Sequence, residues 1–504
     1  MTAALGTTTL PLSALLSGIG PVPAAVDRDV HDITLDSREV VPGSCFIALR
    51  GSREHAYSSY AADARARGAA AIVTDDGDGD AAAVSDVPVV RVPALRRHLG
   101  EIANRFFDTP SAAMRVIGIT GTNGKTTVAY LTAQAVARFD GACAYIGTLG
   151  AGLLGALTPT RNTTPDIITI NRWLARFRAQ GVTTTTLEAS SHALDQGRLD
   201  GLRVKAAAFT NLGRDHLDYH RDLAHYEASK RRLFEQPGLA AAAINIDDPS
   251  GATLAADLQA RLEVWSCSAA APAAARVSAR AIAATLHGTR FDIGVADRWH
   301  RIDSRLIGHF NVDNLLLTAA LLLALDRDSD RDMERIAACL SALGPVPGRM
   351  EACGVSASGA HVLIDFAHTP DGLSAALASL RDVGANRIGV VFGCGGDRDR
   401  GKRPLMAAAV ERYADWMIVT ADNPRSENLA DINAAISDGF SAAADFLIID
   451  DRAEAIRAAV ARAGRDDIVL IAGKGDESTQ ESGGLQLPFS DREQVRAALR
   501  EVTA

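Results

Sequence analysis

Residues 115–127 read Arg-Val-Ile-Gly-Ile-Thr-Gly-Thr-Asn-Gly-Lys-Thr-Thr, a short aliphatic run, a glycine-rich turn and the start of a helix-length segment. Glycines in such a turn let backbone N–H groups point at phosphate oxygens, and the amino terminus of a following helix adds a favourable dipole. Lys125 is placed to meet terminal phosphates, and the Thr126 hydroxyl can ligate Mg²⁺. We predict a phosphate-binding loop over 121–127 with a helix beginning near Val128.

The spacing of this loop departs from the common GxxxxGK[ST] pattern. Ile119 occupies the place of the first glycine, and Gly118 lies one residue earlier. The alternative is a structural glycine turn followed by a coincidental lysine. The position between an apolar strand and a helix favours the phosphate loop.

The same alternation of strand and helix continues through most of the chain. Short β-branched or aliphatic runs are followed by alanine-rich segments of helical length, which is typical of an α/β fold with parallel sheets covered on both faces. A length of 504 residues predicts about three domains. We place them at 1–107, 108–343 and 344–504, because a new strand opens at Arg115 and because two prolines and two glycines interrupt 343–349. Residues 268–277 are of low complexity and are expected to form a loop.

The composition excludes several classes of partner. With 61 acidic and 52 basic residues the net charge is −9, so no global positive field attracts nucleic acid or anionic lipid. The six cysteines form no CxxC pair, which argues against a disulfide framework and favours a reducing compartment. The longest aliphatic run, Leu315–Leu325, is about half of what a bilayer crossing needs and predicts a buried helix. The amino terminus lacks the features of a signal peptide, so we expect a cytoplasmic protein.

Lysine is scarce in this chain. Only five of the 52 basic residues are lysines, and they are Lys125, Lys205, Lys230, Lys402 and Lys474. Where a surface charge suffices the chain uses arginine, so a lysine indicates chemistry that a guanidinium cannot perform, such as becoming a neutral amine.

Polar motifs recur just beyond the carboxyl ends of predicted strands, the edge at which open α/β sheets bind ligands. They are GTNGKTT after 116–120, Glu188 after 183–187, Asp365 after 361–364, GCGGDRDRGK after 388–392, DNPR after 416–421 and GKGDE after 468–472.

The TGTNGKTT loop resembles that of the Mur ligases and their folylpolyglutamate synthetase relatives, ATP-dependent enzymes that join a carboxylate to an amine. Further motifs resemble the diaminopimelate-adding branch across essentially the whole chain. These are Asp36-Ser-Arg38 with Pro42-Gly43, Asn162-Thr-Thr-Pro165, Glu188-Ala-Ser-Ser-His192, Asn211-Leu-Gly-Arg-Asp-His-Leu-Asp-Tyr-His220, Gly308-His-Phe-Asn-Val-Asp-Asn314, DFAHTPDGL, Gly395-Gly-Asp-Arg398, Asp422-Asn-Pro-Arg425, Gly473-Lys-Gly-Asp-Glu477 and DREQV. The resemblance implies three domains: an N-terminal domain for a uridine nucleotide, a central P-loop ATPase-type domain and a C-terminal Rossmann-like domain for an amino acid.

The resemblance also implies catalytic, metal-binding and ATP-binding roles for individual residues. The resemblance implies ATP and Mg²⁺ as cofactors, with Lys125, Lys230, His216 and Glu188 as catalytic residues and Thr126, Glu188, His216 and Lys230 around the metal. The expected ATP site comprises Gly121, Thr122, Asn123, Gly124, Lys125, Thr126, Thr127, Asn311, Asn314, Arg349, Asp365 and His368.

Several of these residues could instead have a purely structural role. From the residues alone, Glu188 could be a capping group, His216 a core histidine, and either Asn311 or Asn314 a helix cap. Lys230 could be a solvated helix lysine, whereas the resemblance implies a carbamate formed on it from CO₂. Arginine could not carry one, since it stays protonated. Asp215, Asp218 and His220 receive no role.

The resemblance also implies binding sites for the two substrates that the reaction joins. A UDP-linked muramoyl dipeptide is expected at Ser37, His55, Asn162, Thr163, Thr164, Ser190, Gln196 and Arg198, although a serine and a histidine in loops are weak signals by themselves. *meso*-Diaminopimelate is expected at Arg398, Asp422, Asn423, Pro424, Arg425, Gly473 and Glu477. The planar fork of Arg425 can donate two parallel hydrogen bonds to a carboxylate, whereas in the alternative DNPR is only a proline turn.

Two positions depart from the family pattern. Phe366 stands where the family usually has tyrosine, so any hydroxyl role there is lost, and Asp476 stands where it usually has histidine. We expect a monomeric ligase that binds neither nucleic acid nor membrane. The rivals are an L-lysine-adding ligase on the same scaffold and a P-loop ATPase that switches a partner.

Overall fold

The computed structural model describes residues 8–49, 56–75, 86–325 and 333–501, which form two compact units. The first unit contains the residues up to Gly118 together with Asp140–Ala206 and Arg232–Leu239. The second contains Ile119–Phe139, Ala207–Arg231 and the chain from Ala240 onward. His55 lies outside the described residues.

The first unit contains a short antiparallel pair, β1 with β2, and a four-stranded parallel sheet. Its early elements are β1 (Leu10–Pro11), α1 (Leu12–Leu15), β2 (Asp29–Val30), β3 (Asp32–Thr34), β4 (Ser44–Ala48), α2 (Ala56–Ala66), β5 (Ala71–Thr74), β6 (Val89–Arg91) and α3 (Leu99–Phe107). Strands β3 to β6 pair in parallel in chain order. Phe46 and Ile72 of this sheet pack with alanines of α2, so the apolar runs of the sequence are buried as expected.

Strand β7 (Arg115–Thr120) leads into the predicted phosphate loop and into α4 (Lys125–Asp140). The helix starts at Lys125, earlier than the predicted Val128, because the N–H of Val128 already bonds the carbonyl of Gly124. The first unit continues through β8 (Ala144–Gly147), β9 (Gly150–Leu153), α5 (Ile167–Ala179), β10 (Thr184–Glu188) and α6 (Ser191–Asp195). Strand β10 is parallel to β8, and β9 is antiparallel to it.

The chain then passes through β11 (Ala206–Phe209) into the elements α7 (Leu223–Arg231), β12 (Ala241–Asn245), α8 (Pro249–Leu258), β13 (Glu263–Ser268), β14 (Val277–Thr285), β15 (Gly288–Val295), β16 (Arg298–Ser304), α9 (Phe310–Leu325) and α10 (Met333–Ser341). The expectation of parallel strands separated by helices is wrong for β14–β16. These strands form an antiparallel meander, turned at Ala296 and Asp297 in the left-handed region. The prediction of a buried aliphatic helix is confirmed by α9, which packs on β12, β13 and β14.

The C-terminal part of the second unit is doubly wound. Its elements are β17 (Glu351–Val355), β18 (His361–Asp365), α11 (Pro370–Asp382), β19 (Ile388–Phe392), α12 (Lys402–Glu411), β20 (Trp416–Val419), α13 (Leu429–Ser437), β21 (Phe446–Ile448), α14 (Arg452–Arg462), β22 (Ile468–Ala472), β23 (Thr479–Ser482), β24 (Leu485–Pro488) and α15 (Asp491–Glu501). The sheet order is β17-β18-β22-β19-β20-β21, with only β17 antiparallel among these strands. Helices α11 to α13 cover one face, and α14 and α15 cover the other.

This topology decides where the polar motifs meet. Because β18, β22, β19 and β20 are parallel, the loops that follow them emerge at one edge of the sheet. Those loops carry His368, the GCGGDRDRGK segment, DNPR and GKGDE. The expected convergence of these motifs is therefore a property of the second unit.

All six cysteines are free, and five of them are buried. Burial raises the pKa of Cys45, Cys143 and Cys394 to about 12, and that of the half-buried Cys353 to about 11. Along the described ranges, no helix combines the length and apolar character that crossing a bilayer requires.

Gly389 in β19 allows Trp416 of β20 to lie flat on the sheet. A Cβ at residue 389 would come within 2.0 Å of the fully buried indole. We expect Gly389→Ala to lower the free energy of unfolding by about 1–3 kcal/mol through overpacking, measured by chemical denaturation. Gly464→Ala is the control, since its Cβ meets only an ordinary contact at 3.6 Å. Equal stability of both variants would contradict this packing.

Candidate functional site

The phosphate loop is shaped by two glycines in the left-handed region. A Cβ on Gly121 would lie 1.8 Å from the Thr210 hydroxyl oxygen, and one on Gly124 would lie 2.7 Å from Oδ1 of Asn314. The loop therefore passes against a neighbouring segment too closely for any side chain at these positions.

Residues 210–213 hold the loop in place. The backbone N–H of Thr122 donates to the Asn211 carbonyl at 2.8 Å, and that of Asn123 donates to Asn211 Oδ1 at 2.9 Å. The N–H of Gly213 in turn donates to the Thr122 hydroxyl at 2.9 Å. Thr122 and Asn123 of the expected ATP site are thus ordered against the segment that leads to His216.

Two lysines meet at one carbonyl oxygen of this loop. Lys125 Nζ donates to the Gly121 carbonyl at 3.0 Å and to the Thr122 carbonyl at 2.8 Å, while Lys230 Nζ donates to the same Gly121 oxygen at 2.7 Å. Lys230 is buried, and its Nζ lies 4.1 Å from the centroid of the Tyr226 ring. Burial, together with the charge of Lys125, holds the pKa of Lys230 well below its usual value. The alternative of a solvated helix lysine is wrong.

Asp215 joins both histidines of the expected site. Its carboxylate lies 3.3 Å from His216 Nε2, 3.6 Å from His368 Nε2 and 3.4 Å from Lys402 Nζ. Burial would raise the pKa of Asp215, but the hydrogen bond from His368 and the charge of Lys402 hold it well below the usual value. The sequence left Asp215 and Lys402 without roles, and the scarcity of lysine was the only signal for Lys402.

Arg349 lies against the phosphate loop and touches both positions that depart from the family pattern. Nη2 donates to the Thr126 hydroxyl at 3.3 Å, and Nη1 pairs with Asp476 at 2.8 Å. The guanidinium carbon lies 4.2 Å from the centroid of the Phe366 ring. Asp365 holds the residue that follows Arg349, because its carboxylate accepts a hydrogen bond from the N–H of Met350 at 2.7 Å. Burial raises the pKa of Asp365.

Asn311 and Asn314 both lie within α9, so the helix-cap alternative is wrong. The Asn314 amide donates to Asn311 Oδ1 at 2.9 Å, and the Asn311 amide donates to the Ile307 carbonyl at 2.8 Å. The approach of Asn314 to Gly124 places this pair beside the phosphate loop.

The expected metal ligands fall in both units. Thr126, His216 and Lys230 belong to the second, and Glu188 belongs to the first. Glu188 is fully buried and accepts from the Thr148 N–H at 2.9 Å and from the Tyr145 hydroxyl. Across the part of the chain that the structure describes, no three histidine, cysteine or carboxylate side chains are grouped to hold a metal by themselves.

In the first unit, several of the residues expected for the UDP-linked substrate are connected. The Thr164 hydroxyl donates to the Glu188 carbonyl at 2.6 Å and to the Ser190 hydroxyl at 3.1 Å. Arg198 donates to the Thr164 carbonyl at 2.8 Å and to Gln196 Oε1 at 2.7 Å.

Ser37 and the 162–164 segment are linked indirectly. Asp36 pairs with Arg161, and Thr160 donates to the Asn162 carbonyl at 3.0 Å. The Thr163 hydroxyl lies 3.2 Å from that of Thr148. Ser37 is buried, and its hydrogen bond to Asp63 lowers the pKa of that carboxyl.

A second polar cluster forms at the sheet edge of the C-terminal part. Asn423 Nδ2 donates to Glu477 Oε2 at 2.9 Å, and Lys474 Nζ donates to the same oxygen at 2.7 Å and to Asn423 Oδ1 at 3.1 Å. Asp422 Oδ1 lies 3.8 Å from Lys474 Nζ. Sequence reasoning missed Lys474, a fully buried lysine, although its rarity marked it.

Arg425 borders this cluster. Its Nη1 donates to the Gly396 carbonyl at 2.7 Å, and its Nε lies 3.4 Å from Glu481 Oε2. The exposed Arg398 lies near it, since a Cβ on Gly395 would meet both side chains within 4 Å. Pro424 directly precedes Arg425 in the chain. Gly473 has a φ of +113°, and a Cβ at this position would lie 3.8 Å from the carboxyl carbon of Asp422. DNPR is therefore part of a polar site.

A phosphate loop that opens a helix, with the buried Lys230 on one of its carbonyls, is typical of a protein that binds a nucleoside triphosphate. Three family models match in succession: the Mur ligase family catalytic domain at 29–107, the Mur ligase middle domain at 119–322 and the Mur ligase glutamate ligase domain at 348–475. The chain belongs to the Mur ligase family and is an ATP-dependent ligase.

Similar proteins cover nearly the whole chain. The UDP-N-acetylmuramoyl-L-alanyl-D-glutamate--2,6-diaminopimelate ligase of *Xanthomonas campestris* pv. *campestris* (strain 8004) is 45% identical over 97% of each chain, and that of *Alkalilimnicola ehrlichii* is 44% identical over 95% of this chain and 96% of its own. A solved structure of a ligase of the same name is 35% identical, with a TM-score of 0.67 over 98% of this chain and all of its own. MurF from *Acinetobacter baumannii* shares the fold at 18% identity, with a TM-score of 0.69 over 98% of this chain and all of its own.

Lys125→Ala should reduce amide formation at least about 10²-fold, because it removes a cation from the transferred phosphate. Steady-state turnover with purified, folded protein measures the loss. Lys205→Ala is the matched control, since Lys205 is exposed. Near-normal turnover in folded Lys125→Ala would refute its assignment to the phosphates.

Proposed function

We propose that the protein joins *meso*-2,6-diaminopimelate to the D-glutamate γ-carboxylate of UDP-N-acetylmuramoyl-L-alanyl-D-glutamate at the expense of ATP, a step of bacterial peptidoglycan synthesis. The observation that carries the proposal is the Arg425 site beside Asn423 and Glu477, in a chain 45% identical to relatives with that named activity. We also propose that the protein is a monomer in the bacterial cytoplasm. Its three domains would be 1–107 for the UDP-linked substrate, 108–343 for ATP and 344–504 for the amino acid. The limits of the three family models support that division.

The proposed reaction proceeds in two steps. A carboxylate oxygen of the UDP-linked dipeptide attacks the γ-phosphorus of ATP, the bond to the β-bridging oxygen breaks, and ADP leaves. The diaminopimelate amine then attacks the acyl carbon of the acyl phosphate, phosphate leaves, and the amine proton passes to solvent. Lys125 stabilises charge on the transferred phosphoryl group, and Arg349 stands beside Thr126 to act on the same oxygens.

Mg²⁺, when bound, would neutralise phosphoryl charge. The donors of the second unit fit it, because the Thr126 hydroxyl and a carboxylate derived from Lys230 supply the hard oxygens that Mg²⁺ prefers, with phosphates completing the set. His216 would add an imidazole. Glu188 remains the predicted ligand from the first unit.

We further propose that Lys230 is carbamylated. The ammonium group first loses one proton, and the neutral amine then attacks the carbon of CO₂. An N–C bond forms as one C–O π bond opens, and a second proton is released, so the cation becomes a carbamate anion. The contacts of Lys230 support this chemistry, because two ammonium groups on the single Gly121 oxygen would repel each other, and this repulsion favours the neutral, nucleophilic amine of Lys230. Burial keeps competing water away from the amine.

The identity of the amino acid tests the proposed function. With L-lysine bound, Arg425 would be desolvated without its carboxylate partner, and sites built for a polar group reject analogues lacking it by up to about 10⁴. We expect kcat/KM for *meso*-diaminopimelate to exceed that for L-lysine by at least about 10³, and the ratio to fall in Arg425→Ala.

The control is Arg465→Ala, whose side chain is 87% exposed. Equal use of the two amino acids, or a preference for lysine, would overturn the substrate assignment. ADP release without either co-substrate would favour the switch ATPase.

The carbamate has its own test. Lys230→Ala should be inactive and partly rescued by a short carboxylic acid that supplies the missing oxygens, whereas Lys230→Arg should stay inactive. Isotopically labelled bicarbonate should produce a carbamate carbon signal by NMR in the wild type and in Lys205→Arg, but not in Lys230→Arg. Full activity of Lys230→Arg would show that the residue acts only as a cation.

A further inference from the structure

A fully buried ion pair lies behind the amino-acid site of the second unit. Arg452, the first residue of α14, binds Asp491, the first residue of α15, through Nε to Oδ1 at 2.7 Å and through Nη2 to Oδ2 at 2.7 Å. Both side chains have no exposed surface. The carboxylate therefore fixes the plane of the guanidinium.

The remaining N–H groups of Arg452 reach two backbone carbonyls. Nη2 donates to Ala472 at 2.9 Å, and Nη1 donates to Ala421 at 3.3 Å. Ala472 is the residue immediately before GKGDE, and Ala421 is the residue immediately before DNPR. One guanidinium thus holds the bases of both loops that carry the proposed diaminopimelate site.

The sheet does not provide this connection itself. In the strand order, β19 lies between β22 and β20, so the two strands whose loops Arg452 joins are not hydrogen-bonded to each other. The two loops also contact each other directly, through hydrogen bonds among Asn423, Lys474 and Glu477. Arg452 adds a second connection, at the residues where the loops begin.

Apolar contacts also attach the two helices to the sheet. Ile456 and Val460 of α14 and Val495 of α15 are buried in one apolar cluster with the sheet. Replacing a buried ion pair by well-packed apolar residues is often neutral or stabilising, because burying the charges costs solvation. The feature that an apolar pair could not reproduce is donation to the two carbonyls.

We propose that Arg452, oriented by Asp491, is a positioning residue for amino-acid selection that sets the separation of the DNPR and GKGDE loops. The inference rests on the proposed function, since it takes these loops as the diaminopimelate site. Arg452 contacts no reacting atom in this account. Its influence passes through the backbone at residues 421 and 472.

The test compares Arg452→Lys with the apolar double variant Arg452→Met/Asp491→Leu. Lysine keeps the charge but cannot span two carbonyls and a carboxylate with a planar fork. We expect KM for *meso*-diaminopimelate to rise about 10-fold or more in both, the order of one lost charge-assisted hydrogen bond, with KM for ATP and for the UDP-linked dipeptide unchanged. The preference over L-lysine should fall in parallel.

Stability separates positioning from a purely structural role. The double variant should still fold, because the apolar contacts of α14 and α15 remain, although the two carbonyls that lose the Arg452 donor should lower its unfolding temperature. Arg462→Met is the matched control on the same helix, since Arg462 pairs with Asp445 at the surface. It should leave every KM unchanged.

A wild-type KM for diaminopimelate in the folded double variant would overturn the inference, as would an equal rise in all three KM values. Loss of the folded state in the double variant would also overturn it, because the pair would then serve the fold. The proposed function fails separately, if the wild type itself does not use diaminopimelate.

Discussion

The carbonyl oxygen of Gly121 accepts hydrogen bonds from two lysine side chains, and the nucleotide site is organised around that constraint. Two cations at one oxygen are stable only if one loses its charge or an anion joins them. Phosphate can satisfy Lys125, which stands at the start of a helix whose dipole also favours an anion. Lys230 is buried against Tyr226 and the loop, and burial together with the charge of Lys125 lowers its pKa, which favours the neutral amine.

The proposed amino-acid site also holds buried charges close together. Lys474 lies between Asp422 and Glu477, and Arg452 pairs with Asp491; both cations are fully buried. The strands bring these charges together, since parallel strands end at a common edge. Each cation touches at least two anionic or carbonyl partners, so the site is ordered before an amino acid arrives.

Local patterns explain how much of this could be read from the sequence. The phosphate loop, the burial of α9 and the convergence of DNPR with GKGDE all follow from short motifs at strand ends, and they were predicted. The antiparallel meander of β14–β16 was not, because hairpin turns such as Ala296-Asp297 carry little signal in an alanine-rich chain. The domain limits and most individual site roles remain predictions.

Long-range contacts could not be predicted from the local segments: only the family resemblance placed Arg349 and Thr126 in one site, and Asp215 and Lys402 received no role. Arg349 lies 223 positions from Thr126, and Lys402 lies 187 positions from Asp215. Nothing in either local segment specifies its partner, which only the closure of the fold determines. The rarity of lysine marked Lys402 and Lys474 as unusual without stating their contacts.

The state of the cysteines has a practical consequence for studying motion in this enzyme. The thiolate is the nucleophile toward alkylating dyes, and burial raises the pKa of five native thiols, Cys45, Cys143, Cys267, Cys353 and Cys394, while Cys339 is buried. A single cysteine introduced at the exposed Leu485 or Leu487 of the β23–β24 hairpin would therefore label far faster than the native six. A dye could therefore be attached near Arg425 without first removing the native cysteines.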